Sequence, residues 1–135
     1  MKTNKLIIDA TGGVMGRIVS YVAKQALLGK EIAVVNCNEA LLTGRKSSVI
    51  HEYQVVRAKG SANQKGPFFP KSPERIMKRT LRGMLSYKQG RGKEAFDRVK
   101  FYNHVPPELE SAEKVQLVRN LKTKAIKMSQ LMEVI

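Results

Sequence analysis

The sequence has no tryptophan, one cysteine, two histidines and only 11 acidic residues. A lone thiol, Cys37, forms no internal disulfide and excludes a zinc site built from several cysteines. With only His51 and His104 beside it, a metal cluster would have to draw on scarce carboxylates. Neither histidine has a partner at triad-like spacing, and the acids offer no obvious pair for general acid–base work. No run of about 18 apolar residues occurs, so no membrane-spanning helix is expected. Met1 to Lys5 lead into a short apolar run that ends at Asp9, without the length or cleavage site of a secretory leader. A cytosolic protein is expected.

What is present is positive charge: 25 Lys and Arg residues, for a net charge of +14. It is unevenly spread. Residues 1–56 hold 7 basic and 4 acidic side chains, residues 57–100 hold 13 and 3, and residues 101–135 hold 5 and 4. Ten of the 14 surplus charges therefore fall between Arg57 and Lys100. One concentrated basic segment on a folded chain is an electrostatic footprint for a polyanion. The 135 residues, 42% of them hydrophobic, suit one domain with a real core.

Local pattern predicts a parallel α/β framework. Lys5–Asp9 reads as a buried strand, and Val14–Leu28 as a helix with Met15, Ile18, Val19, Val22 and Ala26 on one face. Gly29 stops that helix, and Glu31–Asn36 is the second strand. Ala40–Thr43 is a short strand or turn. Ser47 or Ser48 is expected to cap a helix that runs to about Lys59, with Val49, Tyr53 and Val56 on one face. Residues 60–72 read as a loop. Pro73, with Ser72 as cap, opens a helix to about Leu85. A Gly-containing basic loop spans 86–92, a short helix Gly92–Val99, and a strand Lys100–Val105 stopped by Pro106. In the tail, 109–135, alternation over 114–128 suggests a strand or loop, and Ser129 a capped final helical turn.

The helix from Pro73 carries the strongest signal. Arg75, Lys78, Arg79 and Arg82 stand at i, i+3, i+4 and i+7, one face, while Ile76, Met77, Leu81, Met84 and Leu85 populate the other. Lys65 and Lys71 precede the helix; Tyr87, Lys88, Arg91 and Lys93 follow. With Arg57, Lys59 and Arg17 these are the candidate polyanion contacts; the alternative is a merely solvated basic face. Phe68, Phe69 and Tyr87 are candidates to stack on unpaired bases or to pack within the protein.

Thr11-Gly-Gly-Val-Met-Gly16, between a strand and a helix, imitates a dinucleotide-binding turn, and Glu39 lies near where a ribose-binding acid would stand. Thr11 occupies the place of the first required glycine. The expectation is a structural strand-to-helix joint stabilised by Asp9 or Thr11, and Cys37 is expected to be a small buried thiol.

Several blocks, in order, resemble one family. They are Asp9-Ala-Thr with Gly16-Arg17, Val34-Val-Asn36 with Thr43-Gly44, Pro73-Glu-Arg-Ile76, Arg82-Gly-Met-Leu85 and Gly92-Lys-Glu-Ala-Phe96. Over residues 5–107 the chain is similar to the large-subunit ribosomal protein L-thirteen family. Tyr102-Asn-His-Val-Pro106 and the lack of a long insertion before residue 44 resemble its archaeal and eukaryotic branch. The resemblance implies a single three-layer α/β/α domain around a mostly parallel four-stranded sheet. It implies binding to large-subunit ribosomal RNA beside neighbouring ribosomal proteins, a role in subunit assembly, no catalysis, no cofactor and no small-molecule substrate. Arg75–Lys93 matches the family's RNA-facing region. Ser86 stands where the family usually has proline, which implies a less rigid loop, and the chain beyond Glu108 matches poorly.

Overall fold

The apolar run at the N-terminus forms strand β1 (Lys5–Asp9), followed by helix α1 (Met15–Leu27) and strand β2 (Glu31–Val35). This computed structural model describes residues 5–59, 70–118 and 123–134. Then come β3 (Leu41–Thr43), α2 (Lys46–Ala58), α3 (Pro73–Met84), α4 (Gly90–Asp97), β4 (Val99–Phe101), β5 (Val115–Gln116), β6 (Ala125–Lys127) and α5 (Met128–Val134). Four strands form a parallel sheet in the order β4-β2-β1-β5, with Lys5 opposite Glu31, Ile32 opposite Val99 and Ile8 opposite Val115. β3 and β6 pair antiparallel in a separate two-stranded sheet, Leu42 opposite Ile126.

Strand alternation sorts the core into two layers. Ile8, Ile32, Val34, Val99 and Phe101 join the buried faces of α1, α3 and α5. Ile7, Ala33 and Val35 point the other way, against Leu109 with Tyr102, Val105 and Ala112. Topology explains the division. The steps from β1 to β2 and from β2 to β4 advance in one direction, so crossovers of one hand lay their helices on one face. The return from β4 to β5 runs backwards across the sheet, so the same hand carries it over the opposite face. That cover is the segment 102–112 with its 3-10 turn at Pro107–Leu109.

α1 buries the side chains its spacing predicts, Met15, Ile18, Val19, Val22 and Ala26, and it ends where Gly29 takes φ of 95°. Other expected boundaries move. Neither Ser47 nor Ser48 caps α2; the helix begins at Lys46, with no side-chain cap bond. The turn before it is set by backbone instead: Gly44, at φ 129°, donates its N–H to the Lys124 carbonyl at 2.8 Å. The basic helix expected at 92–99 runs Gly90–Asp97, and the following strand is Val99–Phe101, not 100–105. Tyr102 still donates to the Val34 carbonyl at 2.8 Å and accepts from the Cys37 N–H at 3.1 Å, after which the chain leaves to cover the second face. Ser129 lies inside α5 rather than capping it, and Gln130 Oε1 accepts from the Lys127 N–H at 3.2 Å.

Asp9 ties the sheet together at its carboxyl end. Its Oδ1 accepts from the Thr11 N–H at 3.0 Å, the Thr11 hydroxyl at 2.7 Å and the Asn36 amide at 3.1 Å. Its Oδ2 accepts from the Gln116 amide at 3.3 Å. One carboxylate thus joins the ends of β1, β2 and β5. Partial burial raises its pKa, but the bonds from Thr11, Asn36 and Gln116 outweigh that and hold it below the ordinary value of 3.8. A depressed folded-state pKa contributes stability that is present above the unfolded value and lost as pH falls through the folded one. Asp9→Asn should therefore melt lower at neutral pH and show a shallower loss of stability in acid. Thermal melts from pH 7 to pH 3 check this; parallel curves for the two proteins would contradict it.

Candidate nucleic-acid interface

α3 is built as a two-sided element. Pro73 fixes the first turn without losing a needed donor. Ser72 stands at the cap position, but its hydroxyl donates to Glu74 Oε1 at 3.2 Å. The exposed helix amide is satisfied from elsewhere: Asn103 Oδ1 accepts the Glu74 N–H at 3.2 Å. Ile76, Met77 and Leu81 are essentially fully buried, and Leu85 behind them is buried too, whereas Met84, expected on the apolar side, is 45% exposed. Arg75, Lys78 and Arg82 face outward and are exposed. Arg79 departs from this row. It is half-buried and lines the groove between α2 and α3 with Glu52, Tyr53, Val56 and Thr80.

Two rings organise the exposed cations. The Lys78 ammonium lies 5.3 Å from the centre of the Phe96 ring on α4. The Arg82 guanidinium and the Lys88 ammonium lie 5.2 and 5.9 Å from the centre of Tyr87. Such contacts contribute about 0.5–1 kcal/mol each at exposed sites. Tyr87 thus stands beside two cations, and its ring is 38% exposed. Lys100, within the basic segment but outside the candidate contacts, joins the row. A groove of about 300 Å3 between α3 and β4 is lined by Arg75, Lys78 and Lys100 with Glu74, Phe101 and Tyr102. The alternation of buried Val99, exposed Lys100 and buried Phe101 was the available signal.

The basic corner after α3 depends on one glycine. Gly92 is buried, and a Cβ there would run into the backbone carbonyl of Ser86. The same carbonyl accepts the Gln89 N–H at 3.0 Å, so residues 86–92 close on themselves by backbone contact. From this corner α4 projects Arg91 and Lys93, both exposed. Arg98 is engaged elsewhere, donating to the Ala26 carbonyl at 2.9 Å and pairing with Glu94 at 3.7 Å.

The remaining candidates are dispersed. Arg57 and Lys59 are exposed at the end of α2, and Lys71 is exposed just before α3. Lys65, with Phe68 and Phe69, lies outside the described residues. Arg17 is exposed on the first turn of α1, in a different groove of about 460 Å3 with Tyr21, Gln116, Leu117 and Val118.

The glycine turn is a joint. The Thr11 amide bonds Asp9, the Gly12 amide the Glu39 carbonyl at 3.2 Å and the Gly13 amide the Ala10 carbonyl at 3.1 Å. A phosphate cradle needs such amides directed outward; here the three are engaged within the protein. A Cβ on Gly13 would lie 2.7 Å from Ile18 Cδ1, so close packing explains the glycine. Cys37 is buried as expected, and burial pushes its thiol up to about 12, far from a reactive thiolate. Among the described residues no group of three or more His, Cys, Asp or Glu side chains could hold a metal ion, and no helix is long and apolar enough to cross a membrane.

The geometry defines a parallel α/β protein with its cations ranked along one helix and its glycine turn and thiol locked into packing. Residues 3–108 match the family described as Ribosomal protein L13. The large ribosomal subunit protein uL13 of Methanococcoides burtonii is 47% identical over 111 residues, 82% of this chain and 79% of that protein. The same-named protein of Methanosarcina barkeri is 46% identical over 82% of this chain and 79% of its own length. That of Methanocaldococcus jannaschii is 44% identical over 128 residues, 93% of both chains, so its likeness continues into the tail beyond residue 108. This chain belongs to the ribosomal protein L13 family, and these relatives are archaeal, in accord with the branch its sequence resembles.

Gly92→Ala should destabilise the protein by about 1–3 kcal/mol or more, because the backbone and not a flexible side chain must move. Gly90→Ala, where a Cβ meets nothing within 4 Å, is the matched control. Urea unfolding of the two variants checks this; equal midpoints would show that the corner yields freely.

Proposed function

We propose that this protein is a non-catalytic constituent of the large ribosomal subunit that binds large-subunit ribosomal RNA through α3 and the basic corner after it, and supports subunit assembly. The observation that carries the reading is the outward row of Arg75, Lys78 and Arg82 on a helix whose opposite side is buried, extended by Lys100 and by Lys88, Arg91 and Lys93. A fixed row of cations meets phosphates along a backbone, and such contacts set register and orientation, while the shape of folded RNA supplies selectivity. The relatives' name, large ribosomal subunit protein, supports the same partner. Arg17, Arg57, Lys59, Lys65, Lys71 and Arg79 are further proposed contacts, Arg79 from within its groove. Tyr87 contributes by holding Arg82 and Lys88. Neighbouring large-subunit proteins are the other proposed partners.

A protein making about 6–10 phosphate contacts loses about 10³–10⁵ in affinity between 50 and 200 mM salt. Binding to purified large-subunit RNA should show that steep dependence. Replacing Arg75, Lys78 and Arg82 together by Gln should lower the slope of log affinity against log salt by about two to three, at about 0.7–0.9 per contact, with the fold intact by circular dichroism. In a sucrose gradient the unaltered protein should co-migrate with large subunits. A flat salt response would falsify the RNA reading, and migration apart from ribosomes would favour a free regulatory module.

A further inference from the structure

The groove between α3 and β4 has two walls of like charge. Arg75 and Lys78 stand on α3 and Lys100 on β4, with Glu74 as the one acid in the lining. Cations that face one another across a groove repel. The walls keep a fixed spacing only where an uncharged contact joins them. Asn103 supplies that joint. It lies three residues after Lys100, and its Oδ1 accepts the Glu74 N–H at 3.2 Å. The bond ties the first turn of α3, next to Arg75, to the chain that leaves β4.

Asn103 is itself firmly mounted. Lys100 pairs opposite Ala33 in the sheet, and Phe101 beyond it is buried. The Tyr102 N–H donates to the Val34 carbonyl at 2.8 Å, and the Tyr102 carbonyl accepts the Cys37 N–H at 3.1 Å. The residue before Asn103 is therefore held on both sides. Asn103 is half-buried. Ser72, the local candidate for the same task, gives its hydroxyl to Glu74 Oε1 instead. A continuous path of bonds thus runs from Lys100 through Tyr102 and Asn103 to the Glu74 amide, one residue from Arg75.

We propose that Asn103 is a positioning residue: by holding the Glu74 amide it sets Arg75 and Lys78 at a fixed spacing from Lys100, so that both walls engage one stretch of RNA backbone. The proposal rests on the RNA-binding reading above. Asn103 acts without touching the RNA. It fixes the spacing of the two backbones, while the cationic side chains keep their own rotamer freedom. Without the tie, repulsion between the walls opens the groove, and Lys100 no longer reaches the phosphates that Arg75 and Lys78 meet. Asn103 is uncharged, so a charge profile passes over it.

The test is a double-substitution cycle on purified large-subunit RNA, read as the slope of log affinity against log salt. Lys100→Gln should lower the slope by about 0.7–0.9, the value of one phosphate contact. In an Asn103→Ala background the same change should lower it by less than half as much. Asn103→Asp, whose carboxylate still accepts the Glu74 N–H, should restore the full Lys100 decrement. Asp9→Asn, which weakens the fold away from this groove, should leave that decrement intact. If circular dichroism shows that Asn103→Ala does not fold, Asn103→Ser, whose hydroxyl is shorter than the carboxamide, takes its place. Equal Lys100 decrements with and without Asn103 would mean that the residue serves stability alone, and would overturn the proposal. So would the absence of any Lys100 decrement while the variant with Arg75, Lys78 and Arg82 changed to Gln still lowers the slope. If that α3 variant also leaves the slope unchanged, the RNA reading itself fails, and with it this inference.

Discussion

The burial of Ile76, Met77 and Leu81 beneath α3 governs the rest of the surface. Each such side chain contributes about 1.5–3 kcal/mol when removed from water. Like charges at helical spacing oppose this by only about 0.2–0.5 kcal/mol per pair. The core wins comfortably, so α3 holds its cations outward even when no anion is present. Lys78 above Phe96, and Arg82 with Lys88 at Tyr87, then lie against rings that rest on the same framework. The α3 surface is thus a consequence of packing.

A second constraint acts at the opposite edge of the sheet. Because strand order reverses between β1 and β5, the chain must cross the far face, and the ends of three strands meet near Asp9. In open α/β sheets that reversal is where ligands usually settle. Here Gly13 packs on Ile18, and hydrogen bonds from Thr11, Asn36 and Gln116 converge on one carboxylate. The carboxylate at that position serves cohesion in this chain, while the row of exposed cations stands at the α3 margin.

Much of this was legible in the residues. α1, β1 and β2 follow from apolar spacing bounded by glycine, and the amphipathic character of α3 from its i, i+3, i+4, i+7 cations. What escaped was long-range. The cap on α3 comes from Asn103, far along the chain, and the start of α2 from Lys124. No local rule sees either. Ser72, Ser47 and Ser48 are good cap residues by type; Ser72 holds the cap position of α3 but gives its hydroxyl to Glu74, and Ser47 and Ser48 fall inside α2. Arg79 sat on the cationic face by spacing alone; docking of α2 drew it into a groove. Lys100 was legible by strand alternation but is overshadowed by the charge around it.

The same distinction bears on how charge should be read. A profile along the sequence finds residues 57–100 because their cations are consecutive, and it passes over Arg45, Lys46 and Lys124 because Glu31, Glu39 and Glu52 offset the first two and Glu108, Glu110, Glu113 and Glu133 the third. In the folded protein the offset is local and not regional: Lys127 takes Glu39 at 3.3 Å at one end of the β3–β6 pair, and Lys124 lies beyond the other end, beside Arg45 and Lys46. Backbone pairing fixes where these cations are anchored, while each exposed side chain keeps its rotamer freedom, whose loss on binding costs about 0.5–1.5 kcal/mol.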